Sequence, residues 1–330
     1  MNSDLPQTAI IVPAYNESKY IRALLQSIAQ YGPAGCDVVV VDNGSTDDTA
    51  GIATSCGATV VRLESRVYPS LARNIGVAKA DQRAELLVFL DADVELTMEW
   101  RNEWMKTCAD LRSDPMQITG GTCDVAKHPS WIERVWFASM RKRKRTDLDG
   151  ANLITTRRLF DALGGFDVAL ETTEDRDICA RARKHGARVV LNNGFRVHHE
   201  GYPKTIAKFI KRERWHGRGA LTGITHMLIS PVTVATFAFI TLNLLGLVSL
   251  LAALSGGVSY LAPLACVALI ASLCLASVLK KFPHQSLATL PQTVFIMYVY
   301  YLGRSLSVWD ALLRSKSNRE KGATALRSHR

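Results

Sequence analysis

The sequence predicts an α/β fold, a doubly wound and mostly parallel sheet, followed by a C-terminal α-helical membrane region. Three observations carry this expectation. Short apolar runs alternate with helical periodicity from Thr8 to Leu90. Those runs are apolar on both faces, as in a parallel sheet covered by helices on each side. No charged residue occurs from Pro231 to Leu279.

Each element has its own signal. Thr8 to Ala14 (TAIIVPA) is of strand length, and Glu17 to Tyr31 follows with helical spacing at Ile21, Leu24, Leu25 and Ile28. Asp37 to Asp42 (DVVVVD) is a second strand. Asn43-Gly44 turns the chain, and Ser45 with Asp48 resembles a capping box opening the next helix. Ala58 to Leu63 is a third strand, Ser70 to Ala80 a third helix, and Glu85 to Leu90 a fourth strand. Pro129 to Arg145 has Ile132, Val135, Trp136 and Met140 on one helical stripe; core packing is expected there, with membrane-surface contact as the alternative. A helix opens at Glu174 and runs to about His185, capped by Gly186, with Thr172 and Asp175 as a variant capping box.

Two domains are expected, 1–225 and 226–330. In the second, Pro231 to Leu254 and Val258 to Leu279 each exceed the roughly 20 residues that cross a bilayer, and Ser255-Gly256-Gly257 joins them as a hairpin. A third apolar stretch, about 287–303, is interrupted by Pro291 and Gln292 and closed by Arg304; it reads as re-entrant or interfacial. Met1 to Gln7 lacks a secretory signal, so the first domain is expected in the cytoplasm. Two spans then return Lys280-Lys281 and the basic tail to that side, in keeping with the positive-inside tendency. The seven cysteines lack metal-ligand spacing and are read as reduced thiols.

The 330 residues carry a formal net charge of +10. The positive residues cluster in Arg141 to Arg145, Lys204 to Arg218 and the tail, the last two flanking the apolar segments. That placement suits anionic headgroups or a lipid phosphate better than nucleic acid.

The chemistry concentrates at strand ends. Asp91-Ala92-Asp93 follows the run Glu85 to Leu90, and alternate residues of a strand point the same way, so both carboxylates can reach one hard cation. Asp42 ends the second strand with a carboxylate able to accept from a base or ribose. Arg73 starts the third helix, where guanidinium and helix dipole both favour phosphate. Turn and cap chemistry is the better account of Asn43, Gly44 and Ser45.

Taken in order, Val12 to Glu17 (VPAYNE), Asp42 to Thr49 (DNGSTDDT), Ala72 to Gly76 (ARNIG), Asp91 to Asp93 (DAD), Gly150-Ala151-Asn152, Gly164 to Asp167 (GGFD) and Glu174 to Asp177 (EDRD) resemble the family 2 glycosyltransferases of the GT-A fold. The resemblance spans roughly Thr8 to His199. It implies nucleotide binding by Pro13, Tyr15, Glu17, Asp42, Arg73 and Asp91. It implies a magnesium or manganese ion on Asp91 and Asp93, with His198 of the His198-His199 pair as a further ligand. Asp175 of the Glu174-Asp175 pair becomes the general base, and a single base implies displacement with inversion. The expected reaction moves a sugar from a nucleotide-sugar donor to a lipid-linked or membrane-proximal acceptor. Lys211 to Trp215 (KRERW) stands where processive synthases of the family carry Gln-x-x-Arg-Trp; Lys211 replaces the glutamine, and Arg214 with Trp215 is read as the acceptor or membrane side. Two rivals stay open at this point, a nucleotidyl or phosphosugar transferase and a non-catalytic sugar-binding membrane protein.

Overall fold

The computed structural model describes residues 6–141, 147–219 and 230–327. The chain divides into two compact units, Met1–Pro129 with Arg143–Tyr202, and Ser130–Lys142 with Pro203–Arg330. The sequence reading drew one boundary near 225; the segments Ser130–Lys142 and Pro203 onward instead group with the apolar helices. Lys142 to Arg145 of the basic run and Arg330 of the tail lie outside the described residues.

The first unit is built on a seven-stranded sheet of order β3-β2-β1-β4-β8-β6-β9. Its strands are β1 (Thr8–Ala14), β2 (Asp37–Asp42), β3 (Thr59–Arg62), β4 (Leu86–Leu90), β6 (Gln117–Gly120), β8 (Asn152–Thr156) and β9 (Arg188–Leu191). Strands β3, β2, β1 and β4 run parallel, β8 pairs antiparallel with β4 and β6, and β6 is parallel to β9. A second sheet places β10 (Val197–His199) between β5 (Val94–Leu96) and β7 (Cys123–Val125).

Strand alternation sorts the core into two layers. Ile10, Val12, Val40, Val88 and Leu90 face one side with Leu24 and Ile28 of α1 (Ile21–Tyr31) and Trp100 and Trp104 of α4 (Met98–Ser113). Ala9, Ile11, Val39, Val41, Leu87 and Phe89 face the other with Ala72 and Val77 of α3 (Pro69–Lys79), Leu159 of α6 (Arg157–Ala162) and Ile178 of α7 (Glu174–Lys184). Successive side chains leave opposite faces of a strand, so a run such as LLVFL, buried at every position, needs a helical layer on both sides. Gly76 lets α3 lie against β1: a Cβ there would stand 2.4 Å from Ile11 Cγ2.

Two capping expectations are corrected. Helix α2 (Thr49–Ser55) has Asp48 at its N-cap without a side-chain cap bond. Ser45 is used elsewhere, its Oγ accepting from Asn16 N and its N–H donating to Asp42 Oδ1. Thr173, not Thr172, precedes α7, also without a side-chain cap bond.

In the second unit, a π-helical turn Glu133–Phe137 leads into α5 (Ala138–Arg141). Trp136, 1% exposed, packs against Phe209 of α8 (Ile206–Gly219), Phe282 and Tyr300, with ring centroids 5.2–5.3 Å apart. Core packing is therefore observed for Ile132, Val135 and Trp136 of the stripe, while Met140 is half-buried. Helices α9 (Pro231–Leu254) and α10 (Leu261–Lys281) are long and apolar enough to cross a membrane. They leave Leu244, Leu247, Val248, Leu264 and Val267 exposed, a surface that suits lipid better than water. Helix α11 (Leu290–Arg327) takes in the third apolar stretch, with Pro291 in its first turn, where the missing N–H removes no helical bond.

Candidate active site

Asp91, Ala92 and Asp93 lie in the turn between β4 and β5 rather than on a strand. The turn nevertheless brings both carboxylates together with His199, one ligand atom of each lying within 4.8 Å of the others. His199, not His198, is the histidine placed there. On β10 the buried Val197 and His199 share one face, and His199 pairs across to Val94, next to Asp93. His198 faces away, its Nδ1 lying 3.1 Å from the Val125 carbonyl oxygen. His199 Nδ1 stands 3.6 Å from Asp93 Oδ2, buried and without a hydrogen-bond partner among the described residues. Its ring stacks on Tyr202 at 4.0 Å. Gly201 is required by this closeness, because a Cβ there would fall 1.7 Å from Asp93 Oδ2.

Arg73 joins this turn to α7. Its Nη2 donates to Asp91 Oδ1 at 2.7 Å and its Nη1 to Glu174 Oε1 at 2.6 Å. The residue is 3% exposed. Burial opposes its charge, yet the Asp91 and Glu174 carboxylates outweigh burial and hold the guanidinium above its ordinary pKa. The ring of Phe166 lies 5.6 Å from it, and Gly150 leaves it room, since a Cβ there would stand 3.1 Å from Nη2. The next residue, Asn74, clasps the chain at Phe166 from both sides: Asn74 Nδ2 donates to Phe166 O, and Phe166 N donates to Asn74 Oδ1. The motifs ARNIG and GGFD are thus two halves of one packed joint.

Asp175 sits in the first turn of α7, half-buried. Its Oδ1 accepts from Arg176 N at 2.8 Å and its Oδ2 from Gly150 N at 3.4 Å. Burial, reinforced by the charges of Glu174 and Asp149, pushes its carboxyl up to about 6. Thr173, just before, has a φ of 73°, a left-handed conformation that costs a β-branched residue on the order of 1–3 kcal/mol. Glu17 is pushed up to about 8 by burial and by Asp93 and Asp91, so negative charge is crowded where Asp91 and Asp93 meet.

The other expected nucleotide residues line the ends of β1 and β2. Pro13 pairs in register with Val41, and Ala14 with Asp42. Asp42 is 2% exposed and accepts from Ser45 N at 3.1 Å and Arg62 Nε at 3.4 Å. The guanidinium of Arg66 lies 4.2 Å from the Tyr15 ring. Arg214 and Trp215 belong to the second unit, where Arg214 makes a two-point ion pair with Asp310 and Trp215 lies 4.7 Å from the His216 ring.

Sequence reasoning missed Gly201, Tyr202 and Arg66, and chose the neighbour of His199. A signal for His199 was present: an apolar Val197 two residues earlier marks the inward face of a short strand.

The model for "Glycosyl transferase family 2" matches residues 9–153, and that for "Glycosyl transferase family group 2" matches residues 130–302. The chain belongs to glycosyl transferase family 2. Among its relatives, glycosyltransferase AglE of Haloferax volcanii is 26% identical over 235 residues, covering 67% of this chain and 75% of that protein. Succinoglycan biosynthesis protein ExoA of Rhizobium meliloti is 24% identical over 257 residues, covering 70% and 76%. The fold is shared with the mannosyltransferase PcManGT of Pyrobaculum calidifontis, solved with GDP-Man and Mn2+, at a TM-score of 0.59 and 21% identity over 93% of this chain and 88% of that one. Family membership makes this a GT-A glycosyltransferase and sets aside both rivals left open by the sequence.

Proposed function

We propose that this glycosyltransferase uses a divalent cation to transfer a sugar, with inversion, from a nucleotide-sugar donor to a lipid-linked or membrane-proximal acceptor. The observation that carries this reading is the convergence of Asp91, Asp93 and His199, tied through buried Arg73 to the helix bearing Asp175. Two carboxylates, together with an imidazole nitrogen that has no hydrogen-bond partner among the described residues, suit magnesium or manganese. Such an ion, when bound, would stabilise charge on the departing diphosphate.

The chain's own residues do the rest. Asp42 and Tyr15 would hold base and ribose at the ends of β1 and β2. Arg73 holds Asp91 and Glu174 in place. Asp175 would take the proton from the acceptor hydroxyl, and its raised pKa brings it nearer the working pH of a general base. With one base and no second carboxylate assigned as nucleophile, the anomeric configuration inverts. The solved neighbour holding GDP-Man and Mn2+ supports the donor class and the cation. Two apolar helices support membrane attachment, which we read as multi-pass with the catalytic unit in the cytoplasm. The participation of ExoA in succinoglycan biosynthesis supports a role in envelope polysaccharide or glycolipid assembly.

The test is a screen of nucleotide sugars with Mn2+, reading nucleoside diphosphate release and the anomeric configuration of the product by NMR. Nucleoside diphosphate and an inverted linkage are expected. Release of pyrophosphate, or a retained configuration, would sink the reading.

A further inference from the structure

The second unit carries a cationic cluster that the transfer reaction does not use. Glu213 on α8 is 2% exposed and receives Arg212 Nη1 at 2.7 Å and Arg304 Nη2 at 3.1 Å. Two guanidiniums thus share one carboxylate. Lys281, which closes the apolar helix α10, joins them: its Nζ lies 4.3 Å from the Trp136 ring and 4.4 Å from the Tyr300 ring. Arg304 lies 5.0 Å from Tyr300, and Arg212 lies 5.0 Å from Phe137. Aromatic faces hold these cations in place while stripping part of their water, which makes them better anion receptors.

The electrostatics agree. Burial opposes ionisation of Glu213, but Arg212, then Arg304, with Lys281 adding to them, hold its carboxyl below the ordinary value. Burial and the positive charge of Arg212 press His216 down to about 3, with Arg304 adding to the effect, so it stays neutral and the cations are not relieved by it. Arg304 Nε is buried and donates to no group among the described residues. The Arg212 and Arg304 side chains keep 33% and 18% of their surface open, so an anion can reach them without unfolding the cluster.

We propose that Arg212, Lys281 and Arg304, framed by Trp136, Phe137 and Tyr300, form a binding site for the phosphate group of a membrane lipid. The location decides for a lipid over a soluble anion. Lys281 ends a helix apolar enough to span, and a lipid phosphate lies at that depth. Two lipids present this chemistry, a phospholipid headgroup and a polyprenyl phosphate.

Native mass spectrometry of the full chain, released from phosphatidylcholine nanodiscs doped with phosphatidylglycerol or a polyprenyl phosphate, tests the site. The wild type should retain one anionic lipid at least about tenfold in preference to phosphatidylcholine, and Arg304→Gln with Lys281→Gln should remove that preference. Arg304→Lys, which keeps the charge, should restore much of it, and Lys280→Gln, on the exposed neighbour, should change nothing. Retention of only the polyprenyl phosphate would identify the source as the acceptor lipid; retention of either would identify a general headgroup site. Displacement of the retained lipid by millimolar inorganic phosphate would support recognition of the phosphate itself. Equal retention of neutral and anionic lipid, or retention unchanged in the glutamine variants with a native melting profile, overturns the proposal. The readout is lipid mass, so it stands or falls separately from sugar transfer.

Discussion

Arg73 shows how one side chain sets the chemistry of two others. Both terminal nitrogens of its guanidinium are engaged, Nη2 by Asp91 and Nη1 by Glu174, so it acts on the site by positioning them. For Asp175, one residue on, burial and the charges of Glu174 and Asp149 outweigh Arg73, and its carboxyl rises to about 6. In the proposed mechanism the ionised form is the base, so activity should be full above that pH and fall about tenfold per pH unit below it. The same shift works against the fold: protonated Asp175 is favoured in the native state, so stability present at low pH is lost as pH rises through about 6. Asp175→Asn should therefore melt no lower than wild type at pH 7 while losing about 10²–10⁴ in kcat. Activity that persists in this variant, or a wild-type profile flat from pH 7 to 5, would remove Asp175 from the mechanism. This residue was readable from the sequence because its motif is contiguous. His199 was harder to choose, because its selection depends on which face of β10 meets β5, a pairing between segments far apart in the chain.

At the scale of elements, the strand ends are what the sequence shows best. Strands β1, β2 and β4 are unbroken apolar runs, and each stops where chemistry begins. The antiparallel strand β8 was not foreseen: Asn152–Thr156 (NLITT) is short and half polar, yet every residue is buried. Its polar members are satisfied by distant partners. Asn152 Nδ2 donates to Phe195 O at 2.7 Å and its Oδ1 accepts from Trp100 Nε1 at 3.2 Å, contacts that no local pattern announces. The layer under α3 and α7 rests on Phe89, fully buried, with Phe166 edge-on at 5.1 Å and Phe160 at 5.4 Å. Phe89→Ala should cost about 3–5 kcal/mol, through lost burial and the cavity left behind. A denaturant midpoint within error of wild type would show that this layer bears little of the stability.

For the whole molecule, the two units were legible to different degrees. A charge-free stretch announces two membrane-competent helices directly, since composition alone decides the matter. Assignment of Ser130–Lys142 to the apolar unit was not legible, because it depends on Trp136 meeting Phe209, Phe282 and Tyr300, all remote in sequence. In the proposed function Asp91, Asp93 and His199 together make one divalent-cation site. Calorimetric titration of Mn2+ into the full chain, with a nucleoside diphosphate present, tests it most directly. One ion should bind the wild type, and Asp93→Ala, His199→Ala and Gly201→Ala should each weaken it about tenfold or more, whereas His198→Ala should not. Undiminished Mn2+ binding in the Asp93 and His199 variants would contradict the account.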